Sequence, residues 1–399
     1  MIQTSQVTNK KRIESIDLLR GIVIIIMALD HIRDYFHADN FVYDPVDMSR
    51  TNVAVFFTRW ITNFCAPVFV FLAGTSAFLV GERKSKKELS AFLLKRGIWL
   101  MLLEVTVISF AWSFNPHYPT FRLQVIWILG LCMVCMSAII YLPPKLILAI
   151  GLLILFTHNL FDGFHVTGNN FSDFLLAELH ERRRFNFGGH YFTTGYSLVA
   201  WLSIMMLGYC FGALYKKDAD TSARKKYLLI IGSVATVVCI ISRAINIYGD
   251  MAPWEVQPSF IMTVCSFLNA TKYPPSLVYT LQTLGPALIL LVFLEKPLNK
   301  FGQIIIPIGR TPLFFYILHL FLIHLLAIIA VVLSGRPWTE MIFTSLQNSK
   351  DSPWLKGYGL SLAGTYLIWL LVILIFYPLC KWYDRYKTNH KEKWWLSYL

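Results

Sequence analysis

The chain has 399 residues, 56% of them hydrophobic and only 15% charged, with a mean hydropathy of +0.55, whereas soluble domains sit at about 25% charged. With 15% aromatic residues, including 12 Trp and 30 Phe, this composition points to a polytopic helical membrane protein and excludes a soluble enzyme with one anchor. The net charge of +13 tracks the segments between apolar runs, so it speaks for membrane topology and against a nucleic-acid partner.

The polar opening MIQTSQVTNKKR leads into the first apolar run with no small-residue cleavage site, so no cleavable signal peptide is expected. Residues 16–36 supply roughly the 20 residues that cross a hydrocarbon core of about 30 Å, yet they carry Asp17, Arg20, Asp30, His31, Arg33 and Asp34. A charge near the bilayer centre costs at least ~2.5 to 3.5 kcal/mol, so such groups face the bundle interior and mark a pathway or a reaction site. At about 100° per residue, Asp17, Arg20, His31 and Asp34 share one side of the helix, with Asp30 and His37 at its edge. Asp34 stands three residues from both His31 and His37, so either imidazole can meet its carboxylate across one turn. Such a pairing orients the ring and stabilises its cation, as a general base requires. The structural alternative makes these groups snorkelling side chains and buried pairs; two His and two Asp within eight residues weigh against it.

A second helix is expected over residues 52–80, with Arg59, Asn63 and Pro67 in its first half and the small residues Ala73 to Ala77 suited to close packing. The basic stretch Arg83, Lys84, Lys86, Lys87, Lys95 and Arg96 precedes a third helix that buries Glu104, and a fourth (123–142) and fifth (to 160) follow. Residues 161–194, with Arg182 to Arg184, His180 and His190, form the longest interruption and lack helical patterning, which often marks function. Helices six (195–215) and seven (227–248) flank a basic loop; a second long loop to Pro275 holds Asp250, Glu255 and Lys272. Helices eight (276–294), nine (311–333) and ten (360–382) lead to a basic tail.

The expected fold is thus all-α: a polytopic bundle of about ten transmembrane helices, one integral membrane domain over 1–399, with 276–399 forming the C-terminal helices and tail. With the N terminus cytoplasmic, inside segments carry 23 Lys and Arg against 9 outside, so positive-inside bias gives N-in, C-in. Asp17 and Arg20 then lie at the cytoplasmic end and His31, Asp34 and His37 at the far end, an arrangement suited to a reaction that spans the membrane.

Other chemistry is sparse. There is no H-E-x-x-H, G-x-S-x-G or Gly-rich phosphate loop. The seven cysteines lie almost all in apolar runs, and Cys132 and Cys135 read as packing residues. His180-Glu181 lacks a correctly spaced second His, so no metal is expected. His319 and His324, five apart, point about 140° away from each other and each reads as a satisfied bundle histidine. Glu104 and Arg243 are intramembrane charges whose partners the sequence does not reveal.

The segment R-I-E-S-I-D-L-L-R-G at 12–21, the following I-V-I-I-I-M, His37-Ala38 and P-V-F-V-F-L-A-G-T-S at 67–76 together resemble the catalytic domain of heparan-alpha-glucosaminide N-acetyltransferase and its bacterial relatives, over residues 12–240. That resemblance implies a membrane enzyme taking acetyl from cytoplasmic acetyl-CoA to an acceptor across the membrane, terminal glucosamine in the type member. It implies an active histidine at the H-A position, here His37. The chain departs from the family in having Asn40 where Trp is usual and His31 where Asn is usual. His31, eleven residues after Arg20, resembles instead the essential histidine of the acyltransferase-3 membrane family.

The resulting expectation is an acetyltransferase of the bacterial inner membrane with His37, His31, Asp34 and Asp30 as catalytic candidates. Arg20, Asp17, Arg83 and Lys84 are the candidates on the acetyl-CoA side, although positive-inside bias alone would produce the basic loops. The partners expected are acetyl-CoA, a sugar-like acceptor and the bilayer, and a homodimer is compatible. The rivals are a small-solute transporter relaying protons through Asp30, His31 and Asp34, for which no inverted repeat is visible, and a catalytically silent sensor.

Overall fold

Helix α1 (Glu14–Phe36) is the axis of the molecule in a computed structural model that describes residues 13–344, 352–353 and 355–397. Arg12 of the opening motif, and Lys10, Lys11 and Lys350 of the topology count, lie outside the described residues. Around α1 pack α3 (Cys65–Gly81), α12 (Leu277–Leu294), α13 (Lys300–Arg310), α14 (Pro312–Leu333) and a last helix, Leu362–Asn389. The α1–α13 crossing is close because both sides are glycine: a Cβ on Gly309 would stand 1.8 Å from the Asp17 carbonyl oxygen, and one on Gly21 would stand 2.5 Å from the Ile305 side chain.

Helix α2 (Val53–Trp60) is capped by Asn52, whose side chain accepts the Val55 N–H, and it runs through a 3₁₀ turn, Ile61–Phe64, into α3. The small residues of α3 meet α9 (Leu198–Phe211) backbone to backbone. A Cβ on Gly74 would lie 2.1 Å from the Met205 carbonyl and one on Gly208 2.0 Å from that of Phe71, while the Thr75 hydroxyl donates to the Gly208 carbonyl at 3.0 Å. Gly97 of α4 (Lys86–Leu103) and Gly130 of α6 (Val125–Ile139) pair in the same way.

After α4 the helix widens into a π turn, Glu104–Ile108, before α5 (Ser109–Ser113). The π turn positions fully buried Glu104 to accept the Trp127 backbone N–H at 3.2 Å, in the first turn of α6. The partner missing from the sequence is therefore a helix N-terminus, whose unpaired N–H groups attract a carboxylate. Arg243, in α10 (Thr221–Ile245), finds carbonyl partners: Ala252, Ser266, Phe267 and Asn269. It pins the 249–275 loop, which also contains α11 (Phe260–Leu268).

Among the described residues seven helical stretches are long and apolar enough to cross a membrane: Val53–Gly81, Pro144–Phe161, Leu198–Tyr215, Thr221–Ile245, Leu277–Leu294, Pro312–Leu333 and Leu362–Asn389. The ten expected helices are present as helices, but α1, α4 with its continuation, and α6 fall short of those requirements. Charged residues interrupt α1 and α4 themselves, a π turn breaks the continuation of α4, and α6 has 15 residues. The all-α expectation needs one amendment. Residues 161–194 hold helix α8 (Phe171–His180), capped by Asn170 and Asp173, and strands β2 (Arg183–Phe187) and β3 (His190–Thr194). These strands form an antiparallel hairpin, and β3 also pairs in parallel with β1 (Thr120–Leu123). Gly188 and Gly189 turn the hairpin at φ 60° and 86°, values that suit glycine in a two-residue turn.

Candidate active site

A cavity of about 930 Å³ opens beside the C-terminal half of α1, between that helix, β1, β2 and the 249–275 loop. Asp30, His31 and Asp34 line it, so the polar edge of α1 does face a shared interior space. His31 is fixed by aromatic and imidazole neighbours. Its ring meets Trp112 of α5 edge-on at 5.0 Å and Tyr316 of α14 at 5.9 Å between centroids.

The hydrogen-bond chain behind His31 sets its tautomer. His319 Nδ1 lies 2.9 Å from the Phe315 carbonyl oxygen, an acceptor only, so Nδ1 carries the proton and Nε2 of the neutral ring accepts. That acceptor is 2.8 Å from His31 Nδ1, which must therefore donate. His31 Nε2 is then the unprotonated nitrogen, with no hydrogen-bond partner among the described residues, on a residue that lines the cavity.

Asp30 and Asp34 are engaged differently from the helical-neighbour expectation. Arg33, 4% exposed, donates to Asp30 Oδ1 at 2.9 Å and to Asp34 Oδ1 at 2.8 Å, and Arg59 approaches Asp30 at 3.8 Å. Asn40 accepts from Arg33 at 3.2 Å and donates to the Asp34 carbonyl at 2.9 Å, which braces the end of α1. His37 is buried, outside the cavity lining. Around it the main chain pairs with a segment 323 residues later: Leu360 N–H bonds the Phe36 carbonyl at 2.6 Å and Ala38 N–H the Leu360 carbonyl at 3.1 Å. Burial holds the His37 imidazole below its ordinary value.

At the other end of α1, Asp17 accepts from Arg20 at 3.1 Å and from Arg310 at 3.2 Å, and Arg310 reaches Asp384 at 3.5 Å. Arg20 also donates to Ser76 Oγ and the Gly309 carbonyl, each at 3.3 Å. This network ties α1 to α3, α13 and the last helix. Arg83 and Lys84 are exposed in the turn after α3.

Several lining residues were not assigned to the site from the sequence: Arg122 on β1, Arg182 just before β2, Lys272 and Tyr273 in the 249–275 loop, and Tyr316, with His319 behind. The triple arginine was visible as a charge run; its place on a hairpin was signalled by Gly-Gly between aromatic-rich runs. His324 is the satisfied bundle histidine, its nitrogens 2.9 Å from the Ala111 and 2.7 Å from the Met341 carbonyls.

A helical membrane protein that encloses a polar cavity with an oriented, unprotonated imidazole nitrogen on its wall has the makings of an intramembrane enzyme. Residues 12–248 match the family described as heparan-alpha-glucosaminide N-acetyltransferase, catalytic, and the chain belongs to that family of membrane acetyltransferases. No individual curated protein matches it significantly. The matched region holds α1, Trp112, Arg122 and the hairpin but ends before Lys272, Tyr316 and His319.

Proposed function

We propose that the protein transfers an acetyl group from acetyl-CoA to an amine or hydroxyl of a sugar-like acceptor, with His31 as the general base. The observation that carries this reading is the His31–His319–Phe315 chain, which leaves His31 Nε2 unprotonated in a cavity of ligand size. The geometry favours His31 over His37, the position implied by the H-A motif, because His31 lines the cavity.

In the proposed step the acceptor's lone pair attacks the thioester carbonyl carbon as His31 Nε2 takes the proton of the attacking N–H or O–H. Collapse of the tetrahedral adduct breaks the C–S bond, and the same proton passes from His31 to the departing thiolate, giving acetylated acceptor and CoA thiol. His319 stabilises the transient His31 imidazolium through the shared Nδ1–H. The Tyr316 hydroxyl, buried beside the Trp112 indole on the cavity wall, is available to donate to the oxyanion as it forms. Arg33, held by Asp30 and Asp34, keeps this end of α1 rigid.

The N-in, C-in orientation with ten crossings belongs to this proposal. It puts the cavity at the extracytoplasmic side and Arg83 and Lys84 where CoA phosphates would be met, with Asp17 and Arg20 anchoring the inner end. The family match favours this reading over the transporter. The test is release of CoA thiol by the purified protein in nanodiscs given acetyl-CoA and an amino sugar, with the product identified by mass. Acetyl-CoA binding and acceptor-dependent thiol release are expected; absence of both would overturn the proposal.

A further inference from the structure

The cavity is far more basic than its catalytic groups require. Seven Lys or Arg line it against three Asp, and two of those Asp are already paired with Arg33 and Arg59. Arg183 spends its guanidinium on the Val166 and Thr167 carbonyls, and Arg184 lies over the Tyr191 ring at 3.8 Å. Three cations remain with no carboxylate partner among the described residues: Arg122, Arg182 and Lys272. Each lies over an aromatic face, while Asp34 and Asp30 act on Arg122 and Lys272 only from beyond ion-pair distance. Arg122 stands 5.6 Å from the Trp112 centroid, and Arg182 and Lys272 stand 4.9 and 5.2 Å from that of Tyr273.

Their placement relates them to the reaction. Trp112 is the ring that touches both His31 and Arg122, so one indole lies against both the base and one of the three cations. Tyr273 gathers the other two. Burial alone would raise its phenol, yet the charges of Lys272 and Arg59 hold it below the ordinary tyrosine value, and burial holds Arg122 below its own. The Tyr273 shift has the sign expected beside an excess of positive charge. Three converging cations, two of them forked guanidiniums, match a dianionic tetrahedral oxyanion better than a single carboxylate.

We propose that Arg122, Arg182 and Lys272 form a phosphate-binding subsite for the acceptor, which is therefore a phosphorylated sugar or a similar phosphomonoester whose amine or hydroxyl reaches His31. The inference takes its nucleophile from the acetyl-transfer reading above, but its anion site stands independently of that reading, on the placement of the three cations. The competing source of the same chemistry is the phosphates of the CoA donor.

The probes are glucosamine, glucosamine 6-phosphate, acetyl-CoA and 3′,5′-ADP, each titrated calorimetrically into the protein in zwitterionic nanodiscs. Glucosamine 6-phosphate is expected to bind at least tenfold more tightly than glucosamine. The Arg122→Gln/Lys272→Gln variant should lose at least that factor for the phosphorylated sugar, with acetyl-CoA affinity changed less than twofold. To guard against misfolding of that double variant, Arg182→Gln, at an exposed position, serves as a second variant with a loss in the same direction. Equal binding of the two sugars, or variants that leave the difference intact, would overturn the proposal. So would displacement of the phosphorylated sugar by 3′,5′-ADP together with a matching loss of acetyl-CoA affinity, which would give the cations to the donor. Selective binding without acetyl transfer would support the phosphate subsite and count against the proposed reaction alone.

Discussion

His31 Nδ1 and His319 Nε2 are 2.8 Å apart, and the Phe315 carbonyl decides which of them holds the shared proton. Removing the acceptor releases that choice. His319→Ala is expected to lower kcat by roughly 10- to 100-fold, the size typical of losing a ring's orienting partner, with little change in acceptor KM. Steady-state kinetics of the purified variant check this, and an unchanged kcat would mean the contact is only packing.

The two helix-one histidines should separate clearly. His31→Ala is expected to cost about 10² to 10⁴-fold in transfer while acetyl-CoA binding is retained. His37→Ala, which empties a buried position outside the cavity, should show its main effect on thermal stability. Loss of transfer in a stable His37→Ala protein, with His31→Ala active, would restore the H-A histidine to the central role.

Glycines at the helix crossings predict a stability pattern. Gly74→Ala and Gly208→Ala each drive a Cβ to about 2 Å from a backbone carbonyl on the facing helix, and overpacking of this kind costs ~1 to 3 kcal/mol. Gly163, with nothing within 4 Å of its would-be Cβ, should accept Ala at no cost. Thermal midpoints in detergent should fall for the first two variants only.

Glu178 supplies a pH test in the segment between helices. Its Oε1 accepts from the Trp127 indole at 2.7 Å, and burial pushes its carboxyl up to about 8. Because the folded value lies above the unfolded one, the folded protein binds the extra proton. The stabilisation is full below about pH 4.5, the ordinary value, and is lost as pH rises through about 8. Glu178→Gln should therefore raise the thermal midpoint at pH 8.5 relative to the parent and leave it nearly unchanged at pH 4. A parallel shift at both values would assign the effect to something other than ionisation.

The orientation can be read directly. Ser49 and Lys87 are both exposed. In intact cells a membrane-impermeant maleimide should label Ser49→Cys and not Lys87→Cys; the reverse result inverts the topology.

How much of this was legible in the sequence depends on where each partner lies. Asp30, His31 and Asp34 were conspicuous because charges within an apolar run are costly, and helical periodicity put His31 and Asp34 on one face with Asp30 at its edge. The use of Asp34 was not, because Arg33, its chain neighbour, outcompetes a histidine one turn away by offering two charge-assisted donors to two carboxylates. Glu104 had no visible partner because its partner is a backbone group, which every residue carries and no side-chain pattern reveals, and Arg243 is held mainly by carbonyls, with Asp250 3.8 Å away in a loop whose fold the sequence does not show. The hairpin at 183–194 was hidden by reading only for helical period, although its Gly-Gly turn was in plain view. His319 could not be linked to His31 by any local signal, since 288 residues separate them.

That separation has a consequence for how the protein is made. At a synthesis rate of about 5 to 20 residues per second, the ribosome finishes α1 some tens of seconds before it reaches His319. Throughout that interval the imidazole of His31 lacks the ring that sets its tautomer, and Leu360, which bridges to the end of α1, emerges later still. On the proposed mechanism the nascent chain is thus inert until His319 is inserted, and a ribosome that stalls between the end of the family-matched region at 248 and His319 leaves behind a membrane-embedded intermediate in which His31 has not met its partner ring.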